Sequence, residues 1–86
     1  MTDRFDYTQI PESSMAALRL YIERRVRPGD FLTAVLENDL MRACCHADGT
    51  NIDLIPVYAA YLYNEAPINC HGSPEAVRAW LSSDRT

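Results

Sequence analysis

Residues 51–65 read NIDLIPVYAAYLYNE, and this stretch decides the fold. Ile52, Leu54, Ile55, Val57, Tyr58, Ala59, Ala60, Tyr61, Leu62 and Tyr63 make it apolar all round a helix. Such a helix is expected at the centre of a bundle, with neighbours on several sides. Pro56 cannot donate to a carbonyl four residues back, which predicts a kink or a true helix start nearer Leu54. Pro67 ends the element. Tyr58, Tyr61 and Tyr63 cannot all face one core, so at least one hydroxyl is expected at the surface.

Working outward, Asp48-Gly49-Thr50-Asn51 reads as a turn, with Gly49 as the left-handed position and Thr50 and Asp53 as a weak capping box. Before it, Asp30 reads as the N-cap of a helix running to about His46. Its apolar stripe is Leu32, Val35, Leu36, Leu40 and Ala43 or Cys44. Asn38-Asp39 is a poor helical pair and marks a bend or a break into two shorter helices. Earlier still, Met15, Leu18, Ile22 and Val26 recur at spacings of three and four behind Pro11-Glu12. They predict a first helix that ends with Arg24, Arg25 and Arg27 in its last turn and is stopped by Pro28-Gly29.

Downstream, Ser73-Pro74-Glu75 combines a cap, a proline at the first helical position and a first-turn acid. Val77, Trp80 and Leu81 give the closing helix its apolar face. Nothing reads as a strand. The expected architecture is all-α, a small compact bundle of four to five short helices. A single helical domain over 10–82 is expected, with a flexible arm over 1–9 and a tail over 83–86.

The composition narrows the classes of function. The chain has 86 residues, 12 acidic and 8 basic, for a formal net charge of -4. Every basic residue is arginine, which excludes a P-loop lysine and a Schiff-base lysine. Residues 28–77 hold seven acids and only Arg42, a net of -6, while residues 1–27 and 78–86 each carry +1. A field of that kind repels nucleic acid and attracts basic protein surfaces. The opening MTDRFDYTQIPESS has no cationic start followed by an apolar run, so no secretory signal is expected. The longest apolar stretch, Leu54 to Tyr63, is half of the roughly 20 residues a membrane span needs. Three cysteines, two of them adjacent, cannot build a disulfide framework, and a reduced cytoplasmic location is expected.

Cys44, Cys45, His46, Cys70 and His71 are the only soft-ligand side chains. Neither group has the two-to-four-residue gap that turns two ligands toward one ion, and on a helix Cys44 and Cys45 point about 100° apart. They read as buried structural cysteines, with no metal and no cofactor. Cys70-His71 as a nucleophile and base is equally poor, because adjacent residues rarely reach productive geometry. No enzyme is expected. The turn at Pro28-Gly29 invites a helix-turn-helix reading, but Asp30, Thr33, Glu37 and Asp39 would turn like charge toward phosphates. Direct nucleic-acid binding is therefore disfavoured.

Partner binding is better supported. Leu20 lies well over 100° around the first helix from the Met15–Leu18–Ile22 stripe. It shares its face with Arg24 and Arg27, an apolar centre rimmed by arginine.

Four blocks carry a resemblance: Ile10-Pro11-Glu12-Ser13, Phe31 to Leu40, Tyr63 to Pro67, and Cys70 to Glu75 continuing to Trp80. Together they resemble a family of short phage- and prophage-encoded proteins, mostly without assigned function, over about residues 10–81. The resemblance implies no catalytic residues. It implies a bacterial host cell and an inhibitory task of the kind anti-CRISPR proteins perform. The expected function is blocking a nucleic-acid-binding site on a host protein or ribonucleoprotein complex. The acids Glu37, Asp39, Asp48, Asp53 and Glu65, together with Leu20, Arg24 and Arg27, are the expected contacts. The alternative is a small regulator that binds DNA or a transcription complex through Arg24, Arg25 and Arg27. A third possibility is a self-assembling virion component, and the oligomeric state stays open.

Overall fold

Five α-helices form in the computed structural model, which describes residues 6–83. They are α1 Glu12–Arg24, α2 Asp30–Leu36, α3 Leu40–His46, α4 Ile55–Glu65 and α5 Pro74–Ser82. Short 3-10 turns at Tyr7–Gln9, Asn51–Leu54 and Ile68–Cys70 join or precede them, and no strand occurs among the described residues. The architecture is the small all-α bundle that the spacing predicts. Residues 1–5 of the expected arm and 84–86 of the expected tail lie outside the described residues. Within the expected arm, Tyr7 is docked on the bundle, next to Ile10 at the start of the domain. Ile10 is buried, the Tyr7 ring meets Tyr61 edge-on at 5.4 Å, and the Tyr7 hydroxyl accepts from the Asn64 amide at 3.1 Å.

The core is drawn chiefly from four helices, Leu18 and Tyr21 from α1, Leu32 and Leu36 from α2, Val57, Tyr58 and Leu62 from α4, and Val77 from α5, while α3 buries only Ala43. Ile10, Leu54 and Cys70 close it from the turns. Two polar handles are satisfied within it. The Tyr21 hydroxyl donates to the Cys70 carbonyl at 2.7 Å, and Trp80 Nε1 donates to the Tyr21 carbonyl at 2.9 Å. Buried hydroxyls and indole N–H groups need such partners, and here they fix the 68–70 turn and α5 on α1.

Several local expectations hold. Asn38 takes a left-handed backbone (φ 63°) and cuts the second helical run into α2 and α3. Asp39 caps α3 by accepting from the Arg42 amide at 3.1 Å. Asn51–Leu54 is a 3-10 turn, and the α-helix proper begins at Ile55 with Pro56 in its first turn. Ser73 caps α5, its hydroxyl accepting from the Ala76 amide at 3.0 Å. Gly72, at φ 117°, lets its amide reach the Leu36 carbonyl at the end of α2, at 2.8 Å. That geometry excludes a side chain with a Cβ without strain.

Others are corrected. Helix α1 ends at Arg24, not Arg27, because Arg25 turns left-handed (φ 58°) and folds back over the helix end. Val26 therefore leaves the stripe and is exposed. The N-cap of α2 is Gly29, and Asp30 is its first residue, turned toward Arg27. The turn after α3 is organised by Asp48, whose Oδ1 accepts from the Thr50 and Asn51 amides at 3.0 and 2.7 Å. Gly49 is not left-handed and Thr50 makes no capping bond. The break at Asn38 also rotates α3, so Ala43 alone of that helix is buried, while Leu40, Cys44 and Cys45 face out.

Candidate partner-binding surface

The five acids expected to act together have different local roles. Glu37 sits at the end of α2 with a side chain only 16% exposed, and its Oε1 accepts from Arg42 Nη1 at 2.8 Å. The same nitrogen is 3.2 Å from Asp39 Oδ2. The hydrogen bonds that Arg42 donates, to Glu37 above all and then to Asp39, outweigh the opposing effect of burial and hold the guanidinium even more firmly protonated than usual. One arginine thus offsets one of the two negative charges of this pair of acids. Asp48 points outward while its carboxylate anchors the turn. Asp53 and Glu65 are exposed near the two ends of α4. Asp48, Asp53 and Glu65 have no cationic partner among the described residues.

The arginines at the end of α1 do not form one patch either. Arg25 lies on the Trp80 ring, 3.7 Å from its centroid, and donates to the Ile22 carbonyl at 2.8 Å and to Ser83 Oγ at 3.0 Å. Such stacking with a helix-end carbonyl is a structural clasp. Arg27 lies past the helix and approaches Asp30 at 3.8 Å. Leu20 and Arg24 are exposed on α1, and Arg24 has no carboxylate partner among the described residues.

The cysteines separate sharply. Cys44 and Cys45 are exposed, contrary to the buried reading, and Cys70 is buried. Burial pushes the Cys70 thiol up to about 11. Burial also depresses His71, against a smaller opposing effect of the Leu62 carbonyl. The adjacent pair is thus a neutral thiol beside a neutral imidazole at neutral pH, not an activated nucleophile with its base. No group of three His, Cys, Asp or Glu side chains is placed to hold a metal among the described residues.

What the structure adds is a groove. On α4, Ile55, Ala59 and Tyr63 follow one another at intervals of four and so share a face. One depression, of about 100 Å³, lies between Ile55 and Ala59 of α4 and Leu40 and Ala43 of α3. A second, of about 340 Å³, lies between Ala59 and Tyr63 and the loop at His71 and Gly72. Val35, Asn38 and Ala59 line both, so the two adjoin along α4. Bulky apolar side chains stand open around it: Tyr63 is 84% exposed, Leu40 62%, and the neighbouring Met41 79%. Exposure of this kind at neighbouring positions makes the groove the candidate contact face.

Leu40, Ala59, Tyr63 and His71 were not singled out from the sequence as contacts. An all-round apolar α4 does not reveal which side its neighbours leave bare. The one available signal was the surplus of tyrosines, and Tyr63 is the one that reaches solvent. The segment 37–65 holds five acids and a single arginine, a net of -4, and of those acids Asp39 lines the groove.

No family model, curated protein or solved structure matches the chain. No helix among the described residues is long and apolar enough to cross a membrane.

Proposed function

We propose that this protein is a non-enzymatic inhibitor that seats itself on a basic, partly apolar surface of a bacterial defence complex and blocks its nucleic-acid-binding site. The defence setting comes from the resemblance to short phage and prophage proteins, anti-CRISPR proteins among them. The observation that carries the binding role is the open groove of α4, set in a segment of net charge -4. An open apolar groove in an acidic segment of the chain suits a cationic protein surface, because burial supplies affinity and charge supplies steering and selectivity.

The contact set shifts from the one expected. Glu37 and Asp39 act through Arg42 on the α2–α3 junction, while Asp48, Asp53 and Glu65 supply the outward charge. The alternative, DNA binding through Arg24, Arg25 and Arg27, gains no support from an Arg25 clasped on Trp80 and an Arg27 beside Asp30.

The test is affinity capture from a host lysate at low and high salt, in parallel with protection of phage in the same host. Capture should weaken as salt rises. The triple variant Asp48→Asn, Asp53→Lys, Glu65→Lys should lose both capture and protection while keeping its helical circular dichroism. Full protection by that variant would overturn the reading.

A further inference from the structure

We propose that the exposed face of α3 binds a soft monovalent metal ion, Cu(I), through the sulfurs of Met41, Cys44 and Cys45. The inference goes beyond the partner-binding reading and does not depend on it. All three residues lie within α3, both thiols are free and exposed, and Met41 is 79% exposed. Going round the helix, Cys44 falls about 60° to one side of Met41 and Cys45 about 40° to the other, one turn further along. Residues three and four apart are surface neighbours, with about 5–6 Å between their Cβ atoms. Helical side chains lean toward the N-terminus, so the two thiols tilt back over the turn that carries Met41. The flexible thioether has three rotatable bonds with which to meet them. The three sulfurs form the corners of a triangle open to solvent.

The chemistry of the donors selects the ion. Thiolate and thioether sulfurs are soft and favour Cu(I) over harder divalent ions. Structural zinc asks for a closed tetrahedron of thiolate, imidazole or carboxylate ligands, and a thioether is not among them. Two thiolates on one helix, with His46 about 100° further round from Cys45, supply no such set. The wide angle between Cys44 and Cys45 works against an ion held by those two alone. Met41 lies between their two directions and closes the third side. Cys70 is packed in the core, away from this exposed face. Loading displaces one proton from each thiol and leaves a bis(thiolate)–thioether Cu(I) centre with a single net negative charge. No electron is transferred, and affinity should rise with pH because the ligands must be deprotonated.

The test titrates the full-length, reduced protein with Cu(I) under anaerobic conditions, in competition with the coloured Cu(I) complex of bicinchoninate. The wild type should withdraw one copper ion per chain, gain a thiolate-to-Cu(I) charge-transfer band in the ultraviolet and show no change in sedimentation. The methyl resonance of Met41 should shift on loading, while that of Met15, packed against the core, should not. Cys44→Ser and Cys45→Ser should each weaken binding about tenfold or more. Met41→Leu keeps the bulk, removes the sulfur and should weaken binding severalfold. All three positions are exposed, so these replacements leave the core untouched, and native circular dichroism checks this.

Unchanged copper binding in the double variant Cys44→Ser, Cys45→Ser would place the ion elsewhere and overturn the proposal. So would wild-type affinity in Met41→Leu, an unmoved Met41 methyl, or a loss in His46→Gln that matches the cysteine losses. Copper-dependent dimerisation, with one ion shared between thiolates of two copies, would overturn the single-helix site. Displacement of the copper by equimolar zinc would overturn the assignment to a soft monovalent ion.

Discussion

The Arg42 guanidinium donates to the Glu37 carboxylate at 2.8 Å across the break between α2 and α3. The bond ties the last residue after α2 to the first turn of α3, around an Asn38 held left-handed. It also removes Glu37 from the set of acids available to a partner. A carboxylate five residues from its cation is close in sequence, yet only the turn at 37–39 brings the two together.

Arg42→Ala therefore separates stability from binding. Removing the guanidinium leaves a largely buried Glu37 carboxylate beside Asp39 with no counter-charge. The loss should be small but measurable, since the arginine itself is partly exposed. Urea unfolding reads that loss. Partner capture should be retained or strengthened, because the face becomes more acidic. A variant of native stability would show that the bridge contributes nothing.

The thiols should react in two classes. Cys44 and Cys45 are exposed on α3, whereas Cys70 is buried with its thiol raised to about 11. A thiolate-selective disulfide reagent at pH 8 should titrate two thiols at once and the third only on unfolding. Fast reaction of all three in native buffer would contradict the burial of Cys70. Tyr21→Phe, which removes the hydrogen bond to the Cys70 carbonyl, should speed reaction of the third thiol by loosening that turn.

His71 predicts a dependence of stability on pH. Its Nε2 is buried without a hydrogen-bond partner, and burial lowers its pKa below the ordinary 6.5. As pH falls through 6.5 the unfolded chain takes up the proton first. Its share of stability is therefore lost progressively from pH 6.5 down to the depressed folded value and is level below that. Wild-type unfolding free energy should drop between pH 7.5 and 5.5, and His71→Gln should flatten the drop. An identical slope in the variant would assign the dependence to other groups.

Local punctuation was legible because it acts within a few residues. Asn38-Asp39, Pro56 and Ser73-Pro74 each set a helix boundary through their own dihedrals or capping oxygen, and the boundaries fall where those residues place them. The end of α1 was not legible. Arg25 stops the helix with a side chain that rests on Trp80, 55 positions away, and nothing nearby announces that partner. The groove was hidden for a similar reason. The periodicity of 51–65 shows an apolar helix, but α2, α3 and the Gly72 loop leave the Ala59 face open through contacts distant in sequence. Charge counting likewise located the acidic half of the chain but not the pairing that takes Glu37 and Asp39 out of use.

The central claim is that the α4 groove, and not the arginines at the end of α1, meets the partner. The most direct measurement is phage protection by three proteins of equal expression and native circular dichroism: wild type, Ala59→Arg and Arg24→Ala. Ala59→Arg should lose protection while Arg24→Ala keeps it in full. Protection retained by Ala59→Arg and lost by Arg24→Ala would contradict the account.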